Sequence, residues 1–105
     1  MNASNQFLYV TTTGRKTGLP REIEIWYVEA NGRLYILAEN GHQAQWVQNI
    51  LSNPGVKIRM ADRQSEGAAR VLDPDRDADV YLKARQLARD KYGWGEGLPV
   101  EIRIV

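Results

Sequence analysis

The sequence predicts an α+β fold: a mainly antiparallel, six-stranded sheet that closes partly into a barrel, with two helices, in the order β-β-β-α-β-β-α-β. Three observations carry this. Apolar and β-branched residues alternate with polar ones in short runs bounded by turn residues. Only two stretches change to a helical period. The regular strand–helix alternation of a doubly wound parallel sheet is missing. The 105 residues suit one domain spanning 1–105, with no linker and no internal repeat.

The first strand runs from Gln6 to Thr13, where FLYVTTT is rich in aromatic and β-branched side chains. GRKTGLP, Gly14 to Pro20, has two glycines and a proline and reads as a loop. Glu22 to Glu29 forms the second strand, with Ile23, Ile25 and Tyr27 on one face. Asn31-Gly32 offers the two positive-φ positions of a type I′ turn, and Arg33 to Ala38 returns as the third strand. Trp46, Val47, Ile50 and Leu51 then follow the spacing of a short amphipathic helix, ended by Asn53-Pro54-Gly55. Val56, Ile58 and Met60 alternate in the fourth strand; Asp62 and Arg63 turn into a fifth that runs to about Leu72. The longest helix is expected to begin at Asp73-Pro74, with Asp73 as its cap and Asp75 and Asp77 at its positive dipole end. Its apolar stripe is Val80, Ala84, Leu87 and Ala88, and Gly93 terminates it. Val100, Ile102 and Ile104 alternate in the last strand.

Composition excludes several chemistries. There is no cysteine, hence no disulfide scaffold and no Cys-ligated metal. One histidine, His42, cannot make a multi-histidine metal site, and no G-x-S-x-G elbow supports a serine triad. Difficult chemistry on such a chain comes from a borrowed cofactor. Fourteen Lys and Arg against 13 Asp and Glu give a net charge of +1, far from the excess of a nucleic-acid binder. The distribution is uneven: residues 1–21 hold Arg15, Lys16 and Arg21 and no acid, whereas the remainder nets −2. No apolar stretch approaches the ~20 residues of a transmembrane helix. The opening MNASNQ has neither the charged nor the apolar region of a secretory signal, so the expected compartment is the cytoplasm.

Three segments can carry chemistry. TTTGRKTGLPR, Thr11 to Arg21, gathers hydroxyls, glycine-exposed N–H groups and three cations, the donors a phosphate or carboxylate needs. It is not a Walker A loop, and on composition alone it reads equally well as a solvated basic hairpin loop. Ala38-Glu39-Asn40-Gly41-His42, followed by Trp46 and Asn49, joins a strand end to a helix start; Trp46 either flanks an aromatic cofactor or anchors the helix in the core. Tyr92-Gly93-Trp94-Gly95-Glu96-Gly97-Leu98-Pro99 either covers a pocket rim, with Tyr92 and Trp94 as candidate substrate contacts, or simply packs on the barrel end.

TTTGRKTGLPR, the strand end LAENG, the helix QWVQNILSNP and the following VKIRM together resemble the deazaflavin-dependent nitroreductase and quinone-reductase family. These are short split β-barrel oxidoreductases that use coenzyme F-420, within the wider FMN-binding, pyridoxamine phosphate oxidase-like group. The match spans almost the whole chain from Leu8. The resemblance implies that Arg15, Lys16, Thr17 and Arg21 hold the cofactor phosphate. It further implies that Ala38, Glu39, Asn40 and Gly41 meet the deazaflavin ring, with Trp46 beside the same pocket. FMN, which also ends in a phosphate, is the alternative cofactor, and a small-ligand carrier without turnover is the alternative function.

The activity implied is hydride transfer from the reduced deazaflavin to an electron-poor small molecule: a quinone, enone or nitro compound. No side chain need act as nucleophile; a proton comes from solvent or from a tyrosine such as Tyr92. The resemblance also implies a homodimer, with Trp26 or Val28 helping to supply the patch. Three departures from the family pattern stand out. Glu39 replaces a common Ser, the segment between Asn40 and Trp46 is short, and an N-terminal extension is lacking.

Overall fold

Aromatic and β-branched residues give the described part of the chain seven strands rather than six. The computed structural model describes residues 7–105; the expected strand start at Gln6 and the signal reading of MNASNQ lie outside them. The strands are β1 (Phe7–Thr13), β2 (Pro20–Trp26), β3 (Val28–Ala30), β4 (Arg33–Ala38), β5 (Gly55–Met60), β6 (Arg63–Val71) and β7 (Leu98–Ile104). All pair antiparallel in one sheet of order β2-β1-β5-β6-β7-β4-β3. Helix α1 (Gln45–Ser52) follows a 3-10 turn at Gly41–Gln43, and α2 (Ala78–Tyr92) precedes β7.

The extra strand comes from a break at Tyr27. Residues 20–26 pair with β1, and residues 28–30 pair with β4. These are the opposite edges of the sheet, so consecutive residues of one segment join its two ends and the sheet must curl to allow it. At the break the Tyr27 backbone leaves both ladders, and its polar groups need other partners. The end of α2 supplies them. The Tyr27 N–H donates to Tyr92 Oη at 3.3 Å, while the Tyr27 carbonyl accepts from the Tyr92 hydroxyl and from Lys91 Nζ at 3.3 Å.

Alternation fills two cores. Leu8, Val10, Leu34, Ile36, Ile58, Val100 and Ile102 point into the curl, where Val47 and Ile50 of α1 join them. Val28, Tyr35, Leu37 and Leu72 face the other way and pack beneath Ala84 and Ala88 of α2. β4 is therefore buried on both faces, which explains its unbroken apolar run LYILA. Each such Leu or Ile contributes about 1.5–3 kcal/mol by leaving water.

The Asn31-Gly32 turn forms as expected, with φ of 54° and 76°. The long helix does not start where expected. Asp73 caps a separate turn, its Oδ1 accepting the N–H groups of Asp75 (2.8 Å) and Arg76 (2.9 Å), and α2 begins only at Ala78. The reason is Asp77, whose Oδ2 turns back to the Asp73 N–H at 2.8 Å and whose Oδ1 takes Arg70 at 2.9 Å. Those bonds hold both carboxyls below their ordinary range: the Arg76 and Asp75 N–H groups act on Asp73, the Asp73 N–H and then Arg70 on Asp77. Gly93 ends α2 in the left-handed region at φ 78°, as expected.

Candidate functional site

A cavity of about 560 Å³ opens where β2 and β4 part. Its walls are mostly aromatic and apolar, with Trp26, Tyr27, Tyr35, Trp46, Tyr92 and Trp94 among them, and Glu24, Glu39 and Asn40 as polar members. The aromatic wall is rigid by construction. Trp26 and Tyr92 stack with ring centroids 4.5 Å apart and 13° between planes. Trp94 lies over Gly97, where an added Cβ would sit 2.8 Å from both the indole and the Ala38 carbonyl oxygen. The loop carrying Trp94 is clamped to α2: Arg85 Nε donates to the Gly95 carbonyl at 2.8 Å, and a Cβ on Gly95 would meet the Arg85 carbonyl oxygen at 2.2 Å. Tyr92–Pro99 is thus a packed wall. The Tyr92 hydroxyl donates its proton to the Tyr27 carbonyl, so Tyr92 contributes its ring to the cavity and is not placed as a proton donor.

The cationic loop lies beyond the cavity wall. Gly14 N–H donates to the Leu19 carbonyl and Gly18 N–H to the Gly14 carbonyl, each at 2.8 Å, and Thr17 Oγ1 accepts the Leu19 N–H at 3.2 Å. Gly18 needs its lack of a side chain, at φ 75°. Lys16, Thr17 and Arg21 are exposed; Arg15 is half-buried. Among the described residues, no carboxylate pairs with Arg15, Lys16 or Arg21. Arg15 is held instead by Asn49 of α1, whose Oδ1 accepts the Arg15 N–H at 3.1 Å and Nη1 at 2.9 Å.

The structure therefore sorts the predicted site residues into two groups. Glu39, Asn40, Trp46, Tyr92 and Trp94 share the cavity. Arg15, Lys16, Thr17 and Arg21 sit on the separate loop. Ala38 belongs to neither, because its side chain is buried in the inner core, and Gly41, at φ 59°, starts the 3-10 turn outside the lining. Helix α1 connects the groups: Trp46 faces the cavity and Asn49, one helical turn on and about 4.5 Å along the axis, meets the loop. Val28 is buried beneath α2 and cannot supply an exposed patch, whereas Trp26 remains 42% exposed.

Two features escape the sequence reading. Trp26, Tyr27 and Tyr35 line the cavity, which only the crossing at Tyr27 brings about. Glu101 is a buried carboxylate, accepting from Tyr35 Oη (2.9 Å), Arg33 (3.1 Å) and Arg70 (3.3 Å). Burial, then the bond to Glu101, pushes the Tyr35 hydroxyl up to about 12. Its only sequence signal is a lone acid inside the apolar alternation VEIRI. No helix among the described residues is long and apolar enough to cross a membrane.

Comparison with known proteins adds to this geometry. Residues 2–103 match the family model described as F420H2-dependent quinone reductase. A solved F420-H2 dependent reductase is 25% identical, covers 95% of this chain and 94% of its own length, and has a TM-score of 0.70. HutZ, the heme storage protein from Vibrio cholerae, shares the fold with a TM-score of 0.79 at 15% identity, covering 97% of this chain and 83% of that one. A structure described as a domain-swapped dimer is 24% identical, with a TM-score of 0.63 and coverage of 95% and 80%.

Proposed function

The chain belongs to the F420H2-dependent quinone reductase family, and on that premise we propose that it binds reduced coenzyme F-420 and passes its hydride to a quinone, enone or nitro compound. The cofactor class is the family's, and the enzyme class is oxidoreductase. What supports the finer reading is one arrangement. An aromatic cavity of about 560 Å³ and a cationic loop without carboxylate partners among the described residues are tied together by a single helix. The residues present suit such a group: flat rings at Trp46, Trp26 and Trp94 can flank a planar ring system, and the Arg15, Lys16 and Arg21 cations of the loop suit a phosphate. Apolar and aromatic walls lower the local dielectric around whatever they cover, which strengthens the electrostatic contacts made there. The Arg15 fork is fixed by Asn49 before a ligand arrives, so little is lost in ordering it.

Glu39 works against the reduced cofactor. Its carboxylate is exposed on the cavity lining. Two like charges 4 Å apart repel by about 1 kcal/mol in water, which corresponds to about a fivefold change in affinity. Fluorescence titration of the purified protein with coenzyme F-420, followed by oxidation of the reduced form with a quinone and with a nitroaromatic acceptor, tests the proposal. The expected result is saturable binding, acceptor-dependent turnover, and tighter binding of the reduced form in Glu39→Ser. Binding without turnover would make the chain a carrier; preferential binding of FMN would replace the cofactor. We also propose that two copies of the chain pair around a two-fold axis, which the exposed Phe7 and Trp26 at the cavity rim support.

A further inference from the structure

We infer that Asn49 is a positioning residue for the cationic loop, a buried neutral amide that fixes the Arg15 guanidinium while leaving its charge for an anionic ligand. The inference rests on reading that loop as the phosphate site. Asn49 is 4% exposed, in the middle of α1. Its orientation follows from its partners. Two N–H donors of Arg15, the backbone N–H at 3.1 Å and Nη1 at 2.9 Å, converge on one atom, which must be the amide oxygen. The amide nitrogen donates to Thr12 Oγ1 at 3.1 Å, and Thr12 is itself 1% exposed near the end of β1. One side chain thus pins the loop backbone, the Arg15 fork and the strand that leads into the loop.

The choice of an amide is what gives this arrangement a function. Arg33, Arg59 and Arg70 are each held by a carboxylate, at 3.1, 3.3 and 2.9 Å, and their charge is compensated within the chain. Arg15 is held at a similar distance, 2.9 Å, by a group without charge. A guanidinium has five N–H donors; Asn49 takes one and directs the rest. If Arg15 served only to staple the loop to α1, an aspartate at position 49 would do it with a stronger, charge-assisted bond. An amide holds the geometry and keeps the cation available.

The test compares coenzyme F-420 with the same deazaflavin lacking its phosphate, each titrated by fluorescence against Asn49→Asp, Arg15→Ala and the double variant, with folding checked by melting temperature. Asn49→Asp and Arg15→Ala are each expected to weaken coenzyme F-420 by about tenfold or more. The loss in the double variant should fall short of the sum of the two single losses, and the phosphate-free ligand should change by less than about twofold. Arg15→Lys, which leaves the core untouched, should also lose affinity because it keeps the charge but not the oriented fork. If Arg15→Ala weakens coenzyme F-420 while Asn49→Asp does not, or if the two losses add, or if Arg15→Lys binds as the native chain does, the role of Asn49 is overturned. If Arg15→Ala itself changes nothing, the phosphate reading of the loop fails first.

Discussion

Ala61 holds a backbone conformation that its side chain opposes. The two-residue turn between β5 and β6 is Ala61-Asp62, since Met60 pairs with Arg63. Ala61 has φ 53°, and Asp62 is not in the positive region, the pattern of a type II′ turn that wants glycine first. The turn at Asn31-Gly32 meets the same demand with residues suited to it. A Cβ in the left-handed region costs roughly 1–2 kcal/mol, and glycine returns part of that as unfolded-chain entropy. Ala61→Gly should therefore raise stability by about 0.5–1 kcal/mol, a melting shift of a few degrees in a domain this size. A calorimetric scan showing no rise would mean the turn bears the strain elsewhere. Individual residues were also where the candidate anion loop was most legible. Arg15, Lys16 and Arg21 stand out because three cations and no acid share one short stretch. Asn49 did not stand out as a loop partner, because a polar residue on a short helix has many possible partners until β1 and the Gly14–Leu19 turn are brought against it.

Among the elements, the β2–β3 crossing depends on the C-terminal end of α2. Tyr92 both donates to and accepts from the Tyr27 backbone, and its ring stacks on Trp26, so one side chain secures the break and builds a cavity wall. Tyr92→Phe keeps the ring and removes the hydroxyl. A buried backbone group left without a partner costs about 1–3 kcal/mol. The group left over is the Tyr27 N–H, since Lys91 already serves the carbonyl, and urea unfolding should accordingly give a lower midpoint at an unchanged slope; an unchanged midpoint would show that water takes over the N–H. The same crossing marks the limit of what periodicity can reveal. The alternation of Ile23, Ile25 and Tyr27 is continuous, and nothing local shows that the chain changes partners at Tyr27, because pairing is a property of distant strands. The start of α2 failed for a different reason: Asp73 has the composition of a cap and does cap a turn, but Asp77 satisfies Asp73 and Arg70 and postpones the helix. The Asn31-Gly32 turn with its return strand Arg33–Ala38, and the Gly93 stop, were legible because their chemistry is local.

At the scale of the molecule, the curled sheet ends in two edges, and among the described residues β2 is the longer of them, seven residues against three in β3. Among the described residues β2 pairs only with β1, and no strand lies beside its outer row of N–H and C=O groups. Edges of this kind invite pairing with another chain unless something covers them. Next to that edge lie Phe7 and Trp26, direct partners across β1 and β2, 48% and 42% exposed. Both belong to the cavity rim, so whatever covers them also narrows the mouth of the cavity. A chain of 105 residues has a modest core, and burying a further 1,200 Å² or more at a two-fold interface would add to it substantially. The expected outcome is a dimer by light scattering at micromolar concentration. Phe7→Glu should then split it, since a charge at the centre of an apolar patch is repeated on both copies by symmetry. If the rim is completed by the second copy, the same substitution should weaken coenzyme F-420 in step with dissociation, and raising protein concentration should restore both together. A native chain that stays monomeric with the cofactor bound would leave the open edge of β2 and the Phe7–Trp26 patch to another partner.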